Sequence, residues 1–372
     1  KRKQEAGVIE DTASDFTQEP GYQWKNYDIS AYTKAAIRAS SKLTDPQKAM
    51  IDWVFRRTKS DVWHGEKRAV LCASKTKLRV YNSPEVLKQV DEVMERFTNA
   101  VEDVLTIRVQ FVAAVDTRWR YTVYSHLTPV GNGPQGQQIW TMKQEDSALV
   151  LSNMSVQQGF RKIFDRSLNM TNGQTLKIST TDKRGYAGGM QREGAAGMGF
   201  QPKAEELTEG VILRLSPLLS FDGDAVDAAI DLSVNTVRSF HRTKVLAPRE
   251  IGPTEIAVDV PEVYMSHLDQ TVKNWPLGQT LVISAGIHPG ILDKKGGLWG
   301  LPIPGTYPTG TEVLVFLDIE LGSRGRNSGS TRSSAANPDD DVTIDESPRR
   351  AEEVEGDEDP PPRKKSSRNE DF

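Results

Sequence analysis

The fold is decided by the stretch Glu209-Gly-Val-Ile-Leu-Arg-Leu-Ser-Pro217 and by the segments that follow it. These are the turn Asp222-Gly-Asp224, then Val226-Asp-Ala-Ala-Ile-Asp-Leu-Ser-Val234, and finally Leu277-Gly-Gln-Thr-Leu-Val-Ile-Ser-Ala-Gly286. Apolar and polar residues alternate on both sides of the Asp-Gly turn, which is the strongest short-range signal for a β-hairpin. The whole region from Leu207 to Gly286 therefore predicts antiparallel β-structure.

This order of segments resembles the C-terminal core of the bacterial secretin family. There, a Gly-x-x-Leu-x-Val-x-Pro strand precedes an Asp-Gly turn, a long strand and a final Gly-Gln-Thr-Leu-Val-Ile-x-Gly strand. The matching residues here are 210–217, 222–224 and 278–286, and a weaker resemblance extends from about Tyr27 to Leu321. The resemblance implies that these strands, with Val211, Leu213, Leu215 and Pro217, form structural core and carry no catalytic role.

Residues 23–102 predict a small α/β domain with two helices before its strands. Thr44-Asp45-Pro46 is a helix start signal, because proline is favoured in the first turn. Strands are predicted at 68–73, with Cys72 buried, and at 77–81. Ser83-Pro84 then begins a helix with one apolar stripe, formed by Val86, Leu87, Val90, Val93, Met94 and Phe97. The strand–strand–helix order is similar to the ring-building domains that precede secretin cores.

Residues 103–321 predict a mainly antiparallel β domain. Leu105, Ile107, Val109 and Phe111 share one face of a strand at 104–115. We expect β-structure again at Trp119–Tyr124, a short helix at 155–164 and a hairpin turn at Asn172-Gly173. The aromatic residues Trp119, Tyr121, Tyr124 and Trp140 fit either a core, which we favour, or the lipid-facing belt of a β-barrel.

Both ends of the chain differ from the middle in composition. Residues 1–22 are polar and lack periodicity, so they are interpreted as a flexible arm. Residues 322–372 are interpreted as a disordered, charged tail, since the part after residue 322 holds nine basic and thirteen acidic residues and few large apolar ones. The predicted fold class is α+β: a small α/β ring-building domain, then a mainly antiparallel β secretin-like core, with disordered termini.

Composition and motifs give no case for an enzyme. The net charge of −4 does not indicate nucleic-acid binding, and the chain has no apolar run long enough for a membrane helix. Gly131-Asn-Gly-Pro-Gln-Gly136 matches the Gly-x-Gly-x-x-Gly pattern, but a strand-like Gln137–Thr141 follows it, which favours a hairpin loop over a nucleotide site. The Gly- and Met-rich stretch 185–200 is interpreted as a flexible loop, with a contact between subunits or a pore-lining role as alternatives.

No catalytic, cofactor-binding or metal-binding residue is therefore predicted, and no cofactor. The five histidines are scattered, and Asp222 and Asp224 are better explained as a solvated turn than as calcium ligands.

The resemblance implies a homo-oligomeric ring of the cell envelope, a passage or scaffold for protein secretion or pilus export. Its partners would be further copies of the chain, other envelope or secretion-system proteins, and outer-membrane lipid, with no nucleic acid. The expected location is the outer membrane or periplasm, reached with a signal peptide that is absent from this sequence. Two alternatives stay open: a non-pore structural or adaptor module, and a soluble enzyme with a deep pocket of convergent titratable groups.

Overall fold

The computed structural model describes residues 19–39, 44–99, 104–115, 117–157, 159–192, 200–246, 255–289 and 310–322, together with the backbone of 341–344. The helices are α1 (Ser30–Ala39), α2 (Gln47–Thr58), α3 (Pro84–Asn99), α4 (Trp119–Val123) and α5 (Gln144–Ser155). The strands are β1 (Gln23–Asp28), β2 (Val70–Ala73), β3 (Lys77–Asn82), β4 (Val104–Ala114), β5 (Thr128–Asn132), β6 (Gln138–Lys143), β7 (Phe160–Thr171), β8 (Leu176–Arg192), β9 (Phe200–Leu219), β10 (Ala225–Leu246), β11 (Glu255–Pro276), β12 (Gln279–His288), β13 (Thr311–Leu321) and β14 (Asp341–Ile344).

The first unit is a three-stranded sheet, in the order β1-β3-β2, with α1, α2 and α3 packed on it. The start of α3 is as predicted, because the Ser83 Oγ accepts the backbone N–H of Val86 at 3.5 Å. All six apolar residues of its predicted stripe are buried. The helix is thus amphipathic, and its apolar face forms core.

The second unit is a β-sandwich of two antiparallel sheets. The six-stranded sheet has the order β5-β6-β12-β13-β4-β7, and the five-stranded sheet has the order β11-β10-β9-β8-β14. Their inner faces share one core, to which Leu105, Ile107, Val109 and Phe111 of β4 contribute as the alternation predicts. The α+β class is therefore confirmed.

The outer faces of both sheets are partly covered. Helices α4 and α5 pack on the six-stranded sheet around Trp119 and Trp140. The first unit packs on the five-stranded sheet, where the guanidinium of Arg96 donates to the Asp227 carboxylate at 2.6 Å and to the carbonyls of Leu218 and Leu219 at 2.6 and 2.7 Å. Among the described residues, no helix is long and apolar enough to cross a membrane.

The hairpin predicted at Asn172-Gly173 is wrong. Strands β7 and β8 on either side belong to different sheets, so the turn joins the two layers of the sandwich. Asn172 is fully buried, and its side chain accepts the N–H of Leu219 at 2.8 Å and donates to the carbonyl of Arg96 at 3.2 Å. Its own carbonyl accepts the Tyr32 hydroxyl at 2.9 Å. The turn is thus a joint between the two units.

Three smaller predictions are also wrong, and the prediction for the four aromatic residues is only partly right. Trp119–Val123 is helical and a 3₁₀ turn follows at Tyr124–His126, while the helix expected at 155–164 is replaced by the end of α5 and the start of β7. The four aromatic residues divide: Trp119 and Trp140 are core, whereas Tyr121 and Tyr124 are 85% and 76% exposed on the outside of α4 and the 3₁₀ turn. Cys72 is exposed, because its side chain lies on the face of β2 away from the helices.

Several predictions concern residues outside the described ranges. These include the arm at 1–18, most of the tail at 323–372 and residues 193–199 of the Gly- and Met-rich stretch. Residues 185–192 of that stretch belong to strand β8 and do not form a loop. Within the tail, Asp341–Ile344 forms strand β14, which pairs antiparallel with Leu176–Ser179 of β8.

Candidate assembly surface

Two long hairpins dominate the five-stranded sheet. Strands β10 and β11 have 22 residues each, which corresponds to about 70 Å at the usual rise per residue. Near the sandwich, five strands lie side by side, as in the row Ile344–Leu176–Leu215–Ile230–Gln270. The pairing of β9 with β10 ends at Gly210 and Asn235. Beyond Gly210 and Asn235, the β8–β9 hairpin packs on the β10–β11 hairpin through an apolar cluster of Met190, Phe200, Val245, Ile256 and Val258.

The point where the hairpins separate has a specific structure. Gly210 has φ +135°, and a Cβ there would lie 2.0 Å from the Thr180 carbonyl oxygen. The adjacent Glu209 is buried, and its Oε1 accepts the backbone N–H of Val237 at 2.8 Å. A register shift between Val237 and Ser239 marks a β-bulge on β10. Glu209 thus satisfies a backbone donor that the ladder no longer pairs.

The two outer long strands of this sheet, β8 and β11, carry opposite charge, and β8 is the edge strand beyond residue 179, where its pairing with β14 ends. Strand β8 holds four basic residues and one acidic residue, whereas β11 holds four acidic residues and one basic residue. Residues of the neighbouring strands neutralise part of the charge on β8 and β11, for example in the Arg238–Glu262 and Lys183–Glu206 ion pairs. Counted as hairpins, β8–β9 still has a net charge of +2 and β10–β11 one of −2.

The edge of β11 near the sandwich is covered by the loop between β5 and β6. The side-chain oxygen of Gln135 accepts the backbone N–H of His267 at 3.0 Å, and Gln137 Nε2 donates to the His267 carbonyl at 3.2 Å. Gln137 is almost fully buried and also donates to the Ser266 hydroxyl at 3.1 Å. We call this contact the glutamine clamp.

The glycines of the Gly-x-Gly-x-x-Gly pattern allow the clamp to form. A Cβ on Gly131 would lie 2.7 Å from the Gln270 side chain, and one on Gly133 would lie 2.3 Å from the Gln137 side chain and 2.8 Å from that of Leu268. Gly136 has φ +85°, which favours glycine. The loop is a hairpin connection, as predicted, and its glycines serve a close approach to β11.

A buried ion pair lies on the other side of the sandwich. The carboxylate of Glu312 is fully buried and accepts hydrogen bonds from Arg120, from Ser284 Oγ at 2.6 Å and from Trp119 Nε1 at 2.9 Å. The Arg120 guanidinium lies 5.8 and 5.5 Å from the ring centres of Trp119 and Trp140. These contacts fix α4 against β12 and β13.

An open groove of about 310 Å³ runs between α5 and the six-stranded sheet, lined by Thr106, Arg108, Gln110, Gln144, Ser147, Ala148, Leu151, Ser167, Asp318 and Glu320. Burial raises the pKa of Asp318, whose carboxylate accepts a hydrogen bond from Thr280 at 2.5 Å. Burial also tends to raise the pKa of Asp165, but hydrogen bonds from Arg108 and Lys162 outweigh this and lower it. Asp318 in the lining and Asp165 beside Arg108 are thus engaged in structural contacts, and the groove is open, unlike the deep pocket that the enzyme hypothesis requires.

The residues singled out in the sequence have structural positions. Val211, Leu213 and Leu215 are buried in the sandwich core, and most of β12 is buried as well. Within the described part of the chain, no three His, Cys, Asp or Glu residues come together as a possible metal site. Sequence reasoning missed Gln135, Gln137 and Glu209, because amide and carboxylate side chains that cap a strand edge have no local pattern.

The stability of the protein is expected to fall at mildly acidic pH because of His288. Burial lowers the pKa of this histidine below its ordinary 6.5, against the smaller opposing effect of the Ala285 carbonyl. As the pH falls through 6.5, this histidine becomes protonated in the unfolded chain but stays neutral in the folded chain. The free energy of unfolding therefore decreases below pH 6.5, by at most about 1.4 kcal/mol per pH unit. Thermal unfolding of His288→Gln between pH 7 and 5 should give a flatter profile than wild type; parallel profiles would contradict this.

No protein-family model matches the chain, and no curated protein matches it significantly. Solved structures do match. The secretin InvG of the Salmonella SPI-1 type III secretion injectisome is 10% identical, with 71% of this chain and 77% of that chain covered and a TM-score of 0.26. The InvG secretin domain β-barrel is 10% identical, with 70% of this chain and 75% of that chain covered and a TM-score of 0.25. Aeromonas hydrophila ExeD is 11% identical, with 82% of this chain and 62% of that chain covered and a TM-score of 0.21. These low values describe a resemblance and say nothing about what this chain binds or builds.

Proposed function

We propose that the chain is a subunit of a homo-oligomeric, secretin-like ring in the bacterial cell envelope. In this proposal, residues 23–102 form a ring-building domain, residues 103–321 form the β domain that joins its neighbours, and the ring is a passage or scaffold for exported macromolecules. The location would be the outer membrane or periplasm, and the partners would be other envelope or secretion-system proteins and outer-membrane lipid.

The observation that carries the proposal is the open five-stranded sheet with oppositely charged edges. Successive strands alternate in direction from β8 to β11, so β11 of one copy and β8 of the next would continue an antiparallel ladder. An exposed long edge promotes association unless it is covered. Contacts between two different edges are heterologous, and they close into a ring when the rotation between copies allows it.

Charge complementarity between the edges favours this head-to-tail contact. The basic β8 edge of one copy would face the acidic β11 edge of the next, while two like edges would repel each other. The two hairpins of one chain are already in contact, where the Ala187 N–H lies 3.5 Å from the Asp259 carboxylate. Assembly would therefore exchange contacts within a chain for equivalent contacts between chains.

Charge reversal tests the contact. We expect Lys183→Glu/Arg192→Glu on β8, and separately Glu255→Lys/Glu262→Lys on β11, to raise the concentration needed for half-assembly at least about ten-fold, because like charges then meet. Light scattering of gently extracted full-length protein measures the mass, and membrane partition is scored in parallel. Co-expression of the two variants should restore assembly, since opposite charges meet again at the mixed contact.

The outcomes separate the hypotheses. Assemblies of many subunits that respond to charge as described support the ring. A wild-type chain that stays monomeric or dimeric overturns it. Assemblies that are indifferent to both reversals would show that the hairpin edges are not the contact.

One observation favours the second candidate, a non-pore structural or adaptor module. Between β4 and β7 the structure has α4, α5 and the short hairpin of β5 and β6, whose strands have five and six residues. A strand that crosses a membrane needs about 9–11 residues. This region therefore offers no membrane-crossing hairpin among its described residues. A ring or smaller assembly found only in the soluble fraction would support the adaptor.

A further inference from the structure

We infer that the glutamine clamp and strand β14 are edge caps, which confine strand pairing between copies to the distal parts of the hairpins. The distal edges are residues 180–192 of β8 and 255–265 of β11. The inference rests on the proposed function, because it specifies which part of the surface the neighbouring copy uses. Its occupant is a second copy of this chain.

The clamp imitates a neighbouring strand. In an antiparallel ladder, one residue of the edge strand exchanges both its N–H and its C=O with the residue opposite. At His267 these two groups are bound by the side chains of Gln135 and Gln137. A strand from another copy could pair there only after the buried Gln137 had been withdrawn from its contacts with His267 and Ser266.

Strand β14 covers the opposite edge at the same level. Asp341 pairs with Ser179, and Ser179 lies in the row Ser179–Ile212–Ser233–His267. The clamp and the tail strand therefore close the two ends of one row. Four residues of β8 are covered by β14, and no described strand forms a ladder with residues 180–192 on that side, although Asp259 of β11 contacts the Ala187 N–H there.

The caps solve a register problem. In the strands next to the sandwich, apolar and polar residues alternate regularly. An exposed edge with such a regular pattern can pair with another strand in several registers. When both ends of the sheet are closed at the Ser179–His267 row, a neighbour's strand can begin only beyond it. All copies would then meet at the same level, which a ring of uniform subunit number requires.

Hydrogen exchange of the full-length chain, assembled and unassembled, tests this inference. On assembly we expect amides of 180–192 and 255–265 to gain protection, and those of 176–179, 266–270 and 341–344 to stay unchanged. In Gln135→Ala/Gln137→Ala, exchange around His267 should rise by up to about ten-fold in the unassembled chain. The exposed Gln157→Ala, at the end of α5, is the matched control and should change neither region.

Light scattering gives a second readout. The clamp variant, and Val342→Pro/Ile344→Pro, which removes backbone donors of β14, should give assemblies with a broader range of masses than wild type. New protection at 266–270, or loss of protection at 341–344, during wild-type assembly would overturn the inference and leave the ring intact. If no copy assembles, the ring fails. The caps are then judged on the unassembled variants: irregular association of these variants supports them, and monomers identical to wild type overturn them.

Discussion

Replacing Gly210 with alanine is expected to destabilise the protein by about 2–5 kcal/mol and to prevent the two hairpins from separating as they do now. The φ of +135° is unfavourable for a residue with a Cβ, and the added atom would lie 2.0 Å from the Thr180 carbonyl oxygen. The backbone must shift on β8 to accommodate it, since a carbonyl cannot rotate away as a side chain can. Urea unfolding measures the loss of stability.

Gly185→Ala is the matched control on the same pair of strands. The nearest atom to its Cβ is the Glu205 carbonyl oxygen at 4.0 Å, and its φ is not positive. We expect a neutral or slightly stabilising effect, because alanine reduces the freedom of the unfolded chain. Equal losses for the two variants would show that the geometry at Gly210 is not what requires glycine.

The second large effect is expected for Arg120→Met, which should cost about 3 kcal/mol. Its removal leaves the fully buried Glu312 without a counter-charge, and an unpaired buried charge is expensive. The expected loss of stability lies at the lower end of the range of about 3–5 kcal/mol for breaking a buried ion pair, because the Arg120 side chain is itself 34% exposed. Chemical unfolding at pH 7 measures it, and near-ultraviolet circular dichroism should report the loss of order around Trp119 and Trp140.

Two further variants separate charge from packing. Adding Glu312→Gln to Arg120→Met should recover part of the loss, because no charge is then buried. Arg108→Met breaks the more exposed Arg108–Asp165 pair and should cost less than about 1 kcal/mol. A double variant less stable than Arg120→Met alone would contradict this account.

Predictions based on local sequence pattern succeeded where the partner strand or packing surface lies close by in the sequence. The Asp222-Gly223-Asp224 turn joins β9 and β10, which pair directly, and the stripe of α3 finds its core within the same unit. Both signals depend on neighbours a few residues away. The fold class followed from them.

Predictions failed where a distant segment decides the outcome. Asn172-Gly173 has the composition of a hairpin turn. However, β7 pairs with β4 in one sheet and β8 pairs with β9 in the other, so the turn connects the two sheets of the sandwich. Trp119 lies in a helix that packs on the sheet, where Glu312, 193 residues away in sequence, accepts its indole N–H. The assembly surface was invisible for the same reason, since it consists of edges that exist only once the sheet order is known.

The position of β13 has a consequence for synthesis on the ribosome. This strand lies between β12 and β4, so residues 312–321 join residues 105–114 at the centre of the six-stranded sheet. The first unit, in contrast, takes nearly all of its core from residues 29–97 and can form from contacts close in sequence. A nascent chain therefore carries a finished N-terminal unit and an incomplete sheet until residue 321 has emerged. Throughout that interval β4 and β12 lack the strand between them, and the chain is then most exposed to chaperones and to wrong strand exchange.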